Sequence, residues 1–535
     1  MTTDPEIHDL IIIGAGFAGL YTTIHAVREG FKVIGLDAAS DVGGTWYWNR
    51  YPGARCDVES IDYSFSFDED LQREWRWMER HATQPEILRY LNHVADRFDV
   101  RRHYRFNENL TAATWDENSH LWEVTTDSHT THRGRWLVMA TGSLSKPVLP
   151  DIPGLDTFAG ETYLTAAWPK VAPDFRGKRV GLIGTGSSGI QTLPHLAQDA
   201  ADVVVYQRTA NYSVPAFNRL LDDDEWRAAQ DNYAHRRQVS WDSLAGSPWT
   251  SHPKPYHDAS PEEREAVFEE FWTQGGVLFA KAFARLTADP EINRAATAFF
   301  EKKLGQIVHD PQTRSDLTPD DHPLGAKRIC TDSGYYECFN LDHVHLVNLK
   351  KDPLVSVVPE GIITQTGLRM HDCLVFATGF DALTGALTAP DVRGRGGLLL
   401  RDWWKEKVTT YLGVSIPGFP NLLTLNGPGS PSVLSNMALT SEQQGRFALD
   451  LIHFCADRGF TSAEARMDSA NDWTAEGLAI AESTLFGAAR SWYTGANVDG
   501  KPRGFLPYIG GFRPYIDKCH QAAQSGYSGF VLSNM

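Results

Sequence analysis

The sequence predicts an α/β protein built on two strand–glycine turn–helix–strand units, with a stretch of helices set into the second. Two observations carry that prediction. One apolar run ending at Ile13 leads straight into GAGFAG, and another ending at Ile183 leads into GTGSSG. From about Leu220 to Asp320 this pattern disappears and helix-start signals replace it. An apolar run that stops at a glycine turn reads as a buried strand, and a capping residue followed by Pro reads as the start of a helix.

In the first unit, DLIII (Asp9 to Ile13) is the opening strand. Leu20, Ile24 and Val27 recur at helical spacing until Gly30, and KVIGL (Lys32 to Leu36) is the second strand, ending in Asp37. Gly14 permits the sharp turn, Gly16 lets the backbone approach a pyrophosphate, and Gly19 lets the helix pack close. The helix N-terminus faces the phosphates. Asp37 would accept hydrogen bonds from a ribose diol, which suits FAD or NAD and repels a 2′-phosphate.

The second unit repeats the plan. RVGLI (Arg179 to Ile183) leads into Gly184, Gly186 and Gly189, with Ser187 and Ser188 between them. Helical spacing continues through Leu196, and the strand VVVYQ ends at Gln207, followed by Arg208 and Thr209 where the first unit has its acid. A guanidinium there can fork onto a 2′-phosphate, so this unit prefers NADPH. Each unit also has a strand ending in Ala-Thr-Gly, at Ala140 to Gly142 and Ala377 to Gly379. One flavin and one nicotinamide in a single chain imply hydride transfer between them.

Helix starts at Ser260-Pro261-Glu262-Glu263 and Asp289-Pro290-Glu291 mark the inserted stretch. A Pro-rich joint, KPVLPDIPG, separates the units, and the chain closes with a long glycine- and aromatic-rich loop, SWYTGANVDGKPRGFLPYIGGF. The expected division is two Rossmann-like domains. Residues 1–145 and 381–535 form the FAD domain, 146–219 and 321–380 the NADPH domain, and 220–320 a helical insertion in the latter.

Composition bounds the function. At 535 residues, 42% hydrophobic and 22% charged, the chain is an ordinary globular one. Fifty Lys and Arg against 67 Asp and Glu give a net charge of −17, and no basic run offsets it, so neither nucleic acid nor an anionic membrane is expected as a partner. Met1 to Asp9 lacks a positive leader, and no stretch reaches the ~18 apolar residues of a membrane span. The expected location is the cytoplasm. Six cysteines without a CxxC spacing exclude a redox dithiol and a thiolate zinc site, and 19 histidines without HExxH support no metal.

Longer runs carry a resemblance. GGTWYWNRYPGARCD (Gly43 to Asp57), FAGETYLTAAWP (Phe158 to Pro169), GAKRICTDSGYY, FATGFDALTG and SWYTGANVDGKPR resemble the type I Baeyer–Villiger monooxygenases, a class of flavoprotein monooxygenases, over essentially the whole chain. PGARCDVESIDYSFSF and GPGSPSVLSNM look most like the phenylacetone and steroid monooxygenase branch. The resemblance implies an FAD- and NADPH-dependent enzyme. It would insert one atom of O2 beside a ketone carbonyl, through a flavin C4a-peroxide, to give an ester or lactone, with sulfoxidation as a side activity.

It further implies that Thr45 and Trp46 meet the flavin face, with Asp57 and Tyr63 beside the ring. Lys327 would join Arg208 and Thr209 on the 2′-phosphate, Arg328 would lie over the reactive edge, and Trp492 would sit on a mobile loop over the nicotinamide. Elementary chemistry agrees on Arg328: an anionic oxygen nucleophile needs a neighbour whose charge is permanent. Asp57 would pair with it and hold a depressed pKa. Trp48 is expected to be core packing.

One position departs. The family frame FxGxxxHxxxW(P/D) is matched by Phe158, Gly160, Trp168 and Pro169, but Leu164 stands at the histidine, and no histidine occurs between His132 and His195. Leucine neither donates nor accepts, so the link is absent or comes from a neighbour such as Tyr163 or Thr165. The rival readings are an N- or S-oxygenating flavin monooxygenase, a largely uncoupled NADPH oxidase, and a non-catalytic NADPH-sensing scaffold.

Overall fold

The computed structural model describes residues 6–534, so most of the acidic stretch Met1 to Asp9 lies outside it. Among the described residues the first sheet has eight strands, six of them β1 (Ile7–Ile13), β2 (Val33–Asp37), β3 (Tyr104–Phe106), β4 (Leu110–Asp116), β5 (Leu121–Thr126) and β6 (Thr131–Met139), with Asp391–Arg393 added beside β4 and Leu422–Thr424 beside β6. The six run in the order β3, β2, β1, β6, β5, β4. Strand β1 lies parallel to β2, with Ile12 opposite Gly35, and parallel to β6, with Ile12 opposite Val138. From Leu10 to Ile13 its residues are apolar and all four are buried, as a central parallel strand covered on both faces requires.

The helix Phe17–Arg28 covers one face together with the late helix Met437–Arg458. Leu10, Ile12 and Val138 share a core with Phe447, Ala448 and Leu451 from that late helix. Both ends of the chain therefore contribute to the first unit.

The second sheet uses β7 (Glu161–Leu164), β8 (Arg179–Ile183) and β9 (Asp202–Gln207). After the short strands β10 (Ser213–Pro215) and β11 (Cys330–Asp332) it adds β12 (Val344–Asn348). A three-stranded antiparallel ribbon, β13 (Leu354–Val358), β14 (Gly361–Thr364) and β15 (Gly367–Met370), precedes β16 (Cys373–Phe376). The order β12, β9, β8, β16, β7 is parallel throughout.

Between β10 and β11 lie the helices Asp223–Asp242, Pro261–Gln274, Pro290–Ile307 and Pro311–Leu317. Ser260 and Glu263 form the capping box read from the sequence, and Asp289 caps its helix as read. Asp222 with Glu225, and Asp310, add caps that were not singled out.

The packing of this stretch is split. Phe271, Trp272 and Phe300 join the core under the second sheet, with Ile190 and Val203. Trp226 and Tyr233, from the first of the four helices, instead join Phe65, Trp77 and Tyr90 of the first unit.

One expectation needs correction. Trp48 is 40% exposed rather than core. It ends the four-residue helix Thr45–Trp48, and Trp46, two positions earlier, takes the buried face; residues two apart on a helix do not share a side. The C-terminal segment from Ser491 to Gly511 is a long loop that carries one tight helical turn, Trp492–Thr494.

Candidate active site

Gly14 closes β1 with φ of +107°, and its N–H donates to Leu36 O at 2.8 Å. A Cβ on Gly14 would lie 2.4 Å from Ala140 O, and one on Gly19 would lie 1.8 Å from Gly14 O. The turn is thus wedged between the first Ala-Thr-Gly and its own helix. That helix begins at Gly16 without a side-chain cap, which leaves its first N–H groups free for an anion. Gly44 stands opposite, where a Cβ would come within 2.8 Å of Gly16 Cα. A cradle lined by backbone in this way fits a pyrophosphate.

Asp37 is buried at the end of β2, where Oδ2 accepts from Ala15 N at 2.6 Å and Oδ1 from Ala39 N at 2.7 Å. Burial raises its carboxyl above the usual range, against the pull of those two amides. The residue expected to hold a ribose therefore also clamps the glycine turn to the sheet, with lone pairs left over for a diol.

The second unit repeats these contacts. Gly184 has φ of +110° and would place a Cβ 2.4 Å from Ala377 O, and one on Gly189 would lie 2.2 Å from Gly184 O. The Ala-Thr-Gly ends thus do the same job twice, each laying an alanine carbonyl against the first glycine of a turn. Gly186 is different: nothing lies within 4 Å of where its Cβ would stand, and the helix Ser187–Asp199 starts there uncapped. Ser187 is exposed and Ser188 half-buried at this open mouth.

Arg208 is exposed beyond β9, and Thr209 O accepts from Thr185 Oγ1 of the glycine turn at 2.7 Å. Lys327 lies near Arg208. Burial lowers its ammonium below the usual value, Asp321 opposes that shift, and the like charge of Arg208 adds to it. The surrounding lysines are already engaged, Lys350 with Asp320 at 2.7 Å and Lys351 with Asp316 at 2.6 Å. A cavity of about 570 Å³ opens beside Arg208, lined also by Arg314. Arg208 at this open space, with the charge of Lys327 felt nearby, suits a phosphate dianion.

The run Arg50 to Arg55 bridges the units. Tyr51 OH donates to Gln191 Oε1 at 2.9 Å, Gln191 Nε2 donates to Arg55 O at 3.3 Å, and a Cβ on Gly53 would lie 2.3 Å from Gln191 O. This contact brings Asp57 of the first unit against Arg328 of the second, just ahead of β11. Arg328 Nη2 donates to Asp57 Oδ1 at 2.9 Å, Nε donates to Oδ2, and Nη1 donates to Val433 O at 2.8 Å.

Both side chains of the pair are about one-quarter exposed, at 25% and 26%. Desolvation acts to raise the Asp57 carboxyl, but the Arg328 charge outweighs it and holds the group below the usual range. The same desolvation acts against the guanidinium, and Asp57 overcomes it, so Arg328 stays cationic. On the other side, Trp46 Nε1 donates to Tyr63 OH at 3.2 Å, both rings being buried, while Thr45 is exposed.

Trp492 is half-buried on its short turn, with Tyr493 against it at 4.2 Å between ring centroids. Tyr493 is buried and feels the Arg328 charge; burial pushes its phenol up to about 12, against that cation. The segment is fastened beside the second Ala-Thr-Gly. Asn497 Nδ2 donates to Phe380 O at 2.7 Å, and Lys501 Nζ reaches Asp381 Oδ1 and Ala382 O at 2.6 Å each. Neither Val433 nor Tyr493 was singled out from the sequence: one acts through its carbonyl, and the other is one aromatic among many.

Leu164 ends β7 opposite Phe376 of β16 and packs in an apolar cluster with Phe158, Ile183 and Phe376. Of its two candidate substitutes, Thr165 makes a link, donating from Oγ1 to Phe376 O at 3.3 Å; Tyr163 packs on Trp168. Leu164 is half-buried, so Leu164→His is expected to destabilise the fold by only about 1 kcal/mol, through a partly desolvated imidazole. The check is the thermal midpoint, and an unchanged midpoint would mean the ring finds a partner there.

A family model described as pyridine nucleotide-disulphide oxidoreductase matches residues 11–219. A Baeyer–Villiger monooxygenase from Pseudooceanicola batsensis is 40% identical, over 98% of this chain and 96% of that one. Among solved structures, an oxidised steroid monooxygenase bound to NADP is 48% identical with a TM-score of 0.95, over 99% of this chain and 100% of that one. OTEMO in complex with FAD and NADP is 40% identical with the same TM-score of 0.95, again over 99% and 100%.

Proposed function

Because the chain belongs to the Baeyer–Villiger monooxygenase family, we propose that the junction of its two glycine-turn units is where it carries out that family's reaction, with Asp57 and Arg328 at the centre. A ketone, O2, NADPH and a proton give an ester or lactone, NADP+ and water. Bound FAD supplies oxygen activation, and NADPH the hydride. The Gly14–Gly19 turn would hold FAD, with Asp37 for its ribose, and the Gly184–Gly189 turn would hold NADPH, with Arg208 and Lys327 for its 2′-phosphate.

The observation that carries this reading is the Asp57–Arg328 fork across the two units. Asp57 holds the Nε–Nη2 edge of the guanidinium and Val433 O accepts from Nη1, while Nη1 and Nη2 each carry a second hydrogen for a reacting oxygen. Negative charge developing on oxygen is thereby met by a donor that is already oriented and cannot lose its proton. Trp46 and Tyr63 shape the flavin side, and Trp492 with Tyr493 covers the junction and excludes water. The domain division given above, and a cytoplasmic location, belong to the same proposal. All six cysteines are free and buried, as suits a reducing compartment.

The test follows NADPH consumption, hydrogen peroxide and product mass together, over a panel of cyclic, aryl and linear ketones. Ester or lactone formation supports the proposal, and quantitative peroxide with every ketone would overturn it in favour of an uncoupled oxidase. Arg208→Ala is expected to raise the KM for NADPH by about 10–100-fold and to spare that for NADH, since charged hydrogen bonds contribute about 1.5–3 kcal/mol.

A further inference from the structure

The helix Asp223–Asp242 does more than fill space beside the first unit. Trp226 and Tyr233 seat it in the core that holds Phe17, Tyr63 and Phe65. Arg236 and Arg237 then reach the turn Glu59–Ser64, which begins two residues after Asp57. In that turn the N–H groups of Asp62 and Tyr63 both donate back to Glu59 O at 3.0 Å. A single helical turn leaves its last carbonyls without backbone donors.

Arg237, only 6% exposed, supplies those donors. Nη1 donates to Asp62 O at 3.1 Å, and Nη2 donates to Ile61 O at 3.0 Å and Ser64 Oγ at 2.7 Å. Arg236 forks onto Asp62, Nε to Oδ1 and Nη2 to Oδ2 at 2.6 Å each, and Nη2 also reaches Glu59 Oε2 at 3.0 Å. The Asp62 side chain is completely buried, so Arg236 is its counter-charge.

Asp62 O accepts a further bond, from Asn436 Nδ2 at 2.7 Å. Asn436 lies three residues after Val433, whose carbonyl holds Arg328 Nη1. The contacts close a ring from Arg236 and Arg237 through Asp62, Asn436, Val433 and Arg328 to Asp57, which runs back along the chain into the same turn.

We propose that Arg237, together with Arg236, is a positioning residue for the Asp57–Arg328 pair: the two arginines cap the turn that directly follows Asp57 and so set where the guanidinium points. The proposal rests on the reading of that pair given above. It assigns the first inserted helix to the reaction centre of the first unit, 271 residues of chain separating the two members of the pair it aligns. Misplacement of a reacting group by about 1 Å costs on the order of 10²-fold in rate, so a capped turn matters for partition between products as well as for stability.

The test uses the full-length holoenzyme. Arg237→Met and Arg237→Lys are compared with Arg227→Ala, an exposed residue of the same helix paired only with Asp224. Amide hydrogen exchange over residues 57–66 is read with and without FAD, alongside the share of NADPH that ends as hydrogen peroxide.

Arg237→Met is expected to speed exchange in that segment by at least about tenfold and to raise the peroxide share by at least about threefold. Arg237→Lys should recover part of both, and Arg227→Ala should match the unaltered enzyme. Exchange within about twofold of the unaltered enzyme, or faster exchange with an unchanged product partition, would overturn the proposal. Should Arg237→Met fail to fold, Ser64→Ala removes one acceptor and must move both readouts in the same direction, or the proposal falls. If the unaltered enzyme forms no ester, the function reading fails, while the exchange data still decide whether the arginines cap the turn.

Discussion

Arg328→Ala is expected to lower ester formation by about 10²–10³-fold while FAD stays bound and NADPH is still consumed, the oxygen leaving as hydrogen peroxide. That is the effect of removing one preorganised donor to a developing oxyanion. Arg328→Lys should fail as well, because an ammonium cannot reproduce the fork that Nε and Nη2 make onto Asp57 while also reaching Val433 O. Mass analysis of the product beside a peroxide assay decides it; ester formation near the unaltered rate would remove Arg328 from the reaction.

The pair also sets a pH expectation. Asp57 is depressed below its unfolded value of about 3.9, so its stabilising effect is complete above that value and is lost as pH falls through the lower folded-state value. The pair should therefore add no break to the pH profile of ester formation between about pH 5 and 9.

Gly19→Ala is expected to yield colourless protein, with FAD affinity reduced at least about 100-fold, or ~2.7 kcal/mol. The new Cβ would stand 1.8 Å from Gly14 O and 2.9 Å from Tyr104 OH. The first of these neighbours is backbone and has no rotamer to yield, so the turn must open and the uncapped N–H groups lose their aim. Gly186→Ala makes the contrast: its Cβ has nothing within 4 Å, so the thermal midpoint should hold and only NADPH binding should weaken. Flavin absorbance of the purified protein and a titration with NADPH read the two results. A yellow Gly19→Ala protein would show that the turn relaxes at little cost.

The parts legible in the sequence were those whose chemistry is local. Each glycine turn sits between a short apolar run and a helical pattern, and the second unit has Gln207 followed by Arg208 where the first has Asp37 followed by Ala38. The Ala-Thr-Gly strand ends were visible as a repeated pattern, but the reason for them was not. It lies in Ala140 O and Ala377 O pressing on Gly14 and Gly184, contacts between strands far apart in the chain.

Trp48 read as core because aromatic residues usually bury, and a four-residue helix turned it outward. The inserted helices read as one block, yet Trp226 and Tyr233 pack with the first unit while Phe271 and Phe300 pack with the second. Amphipathic spacing reports that a face is buried, and carries no information about which neighbour covers it.

The amino-acid sequence alone determined the two glycine-turn units, the acid that ends the second strand of one and the arginine that follows that of the other, and the substitution of Leu164, because a tight turn dictates residue types within a few positions. The Asp57–Arg328 pair was expected from the resemblance, but tertiary structure alone decided that Val433 O and Asn436 tie that pair to the turn held by Arg236 and Arg237, and that the side chain of Thr165 rather than of Tyr163 bonds β16 beside Leu164. Those contacts join segments tens to hundreds of residues apart, and their geometry exists only once both sheets and the helices between them have packed.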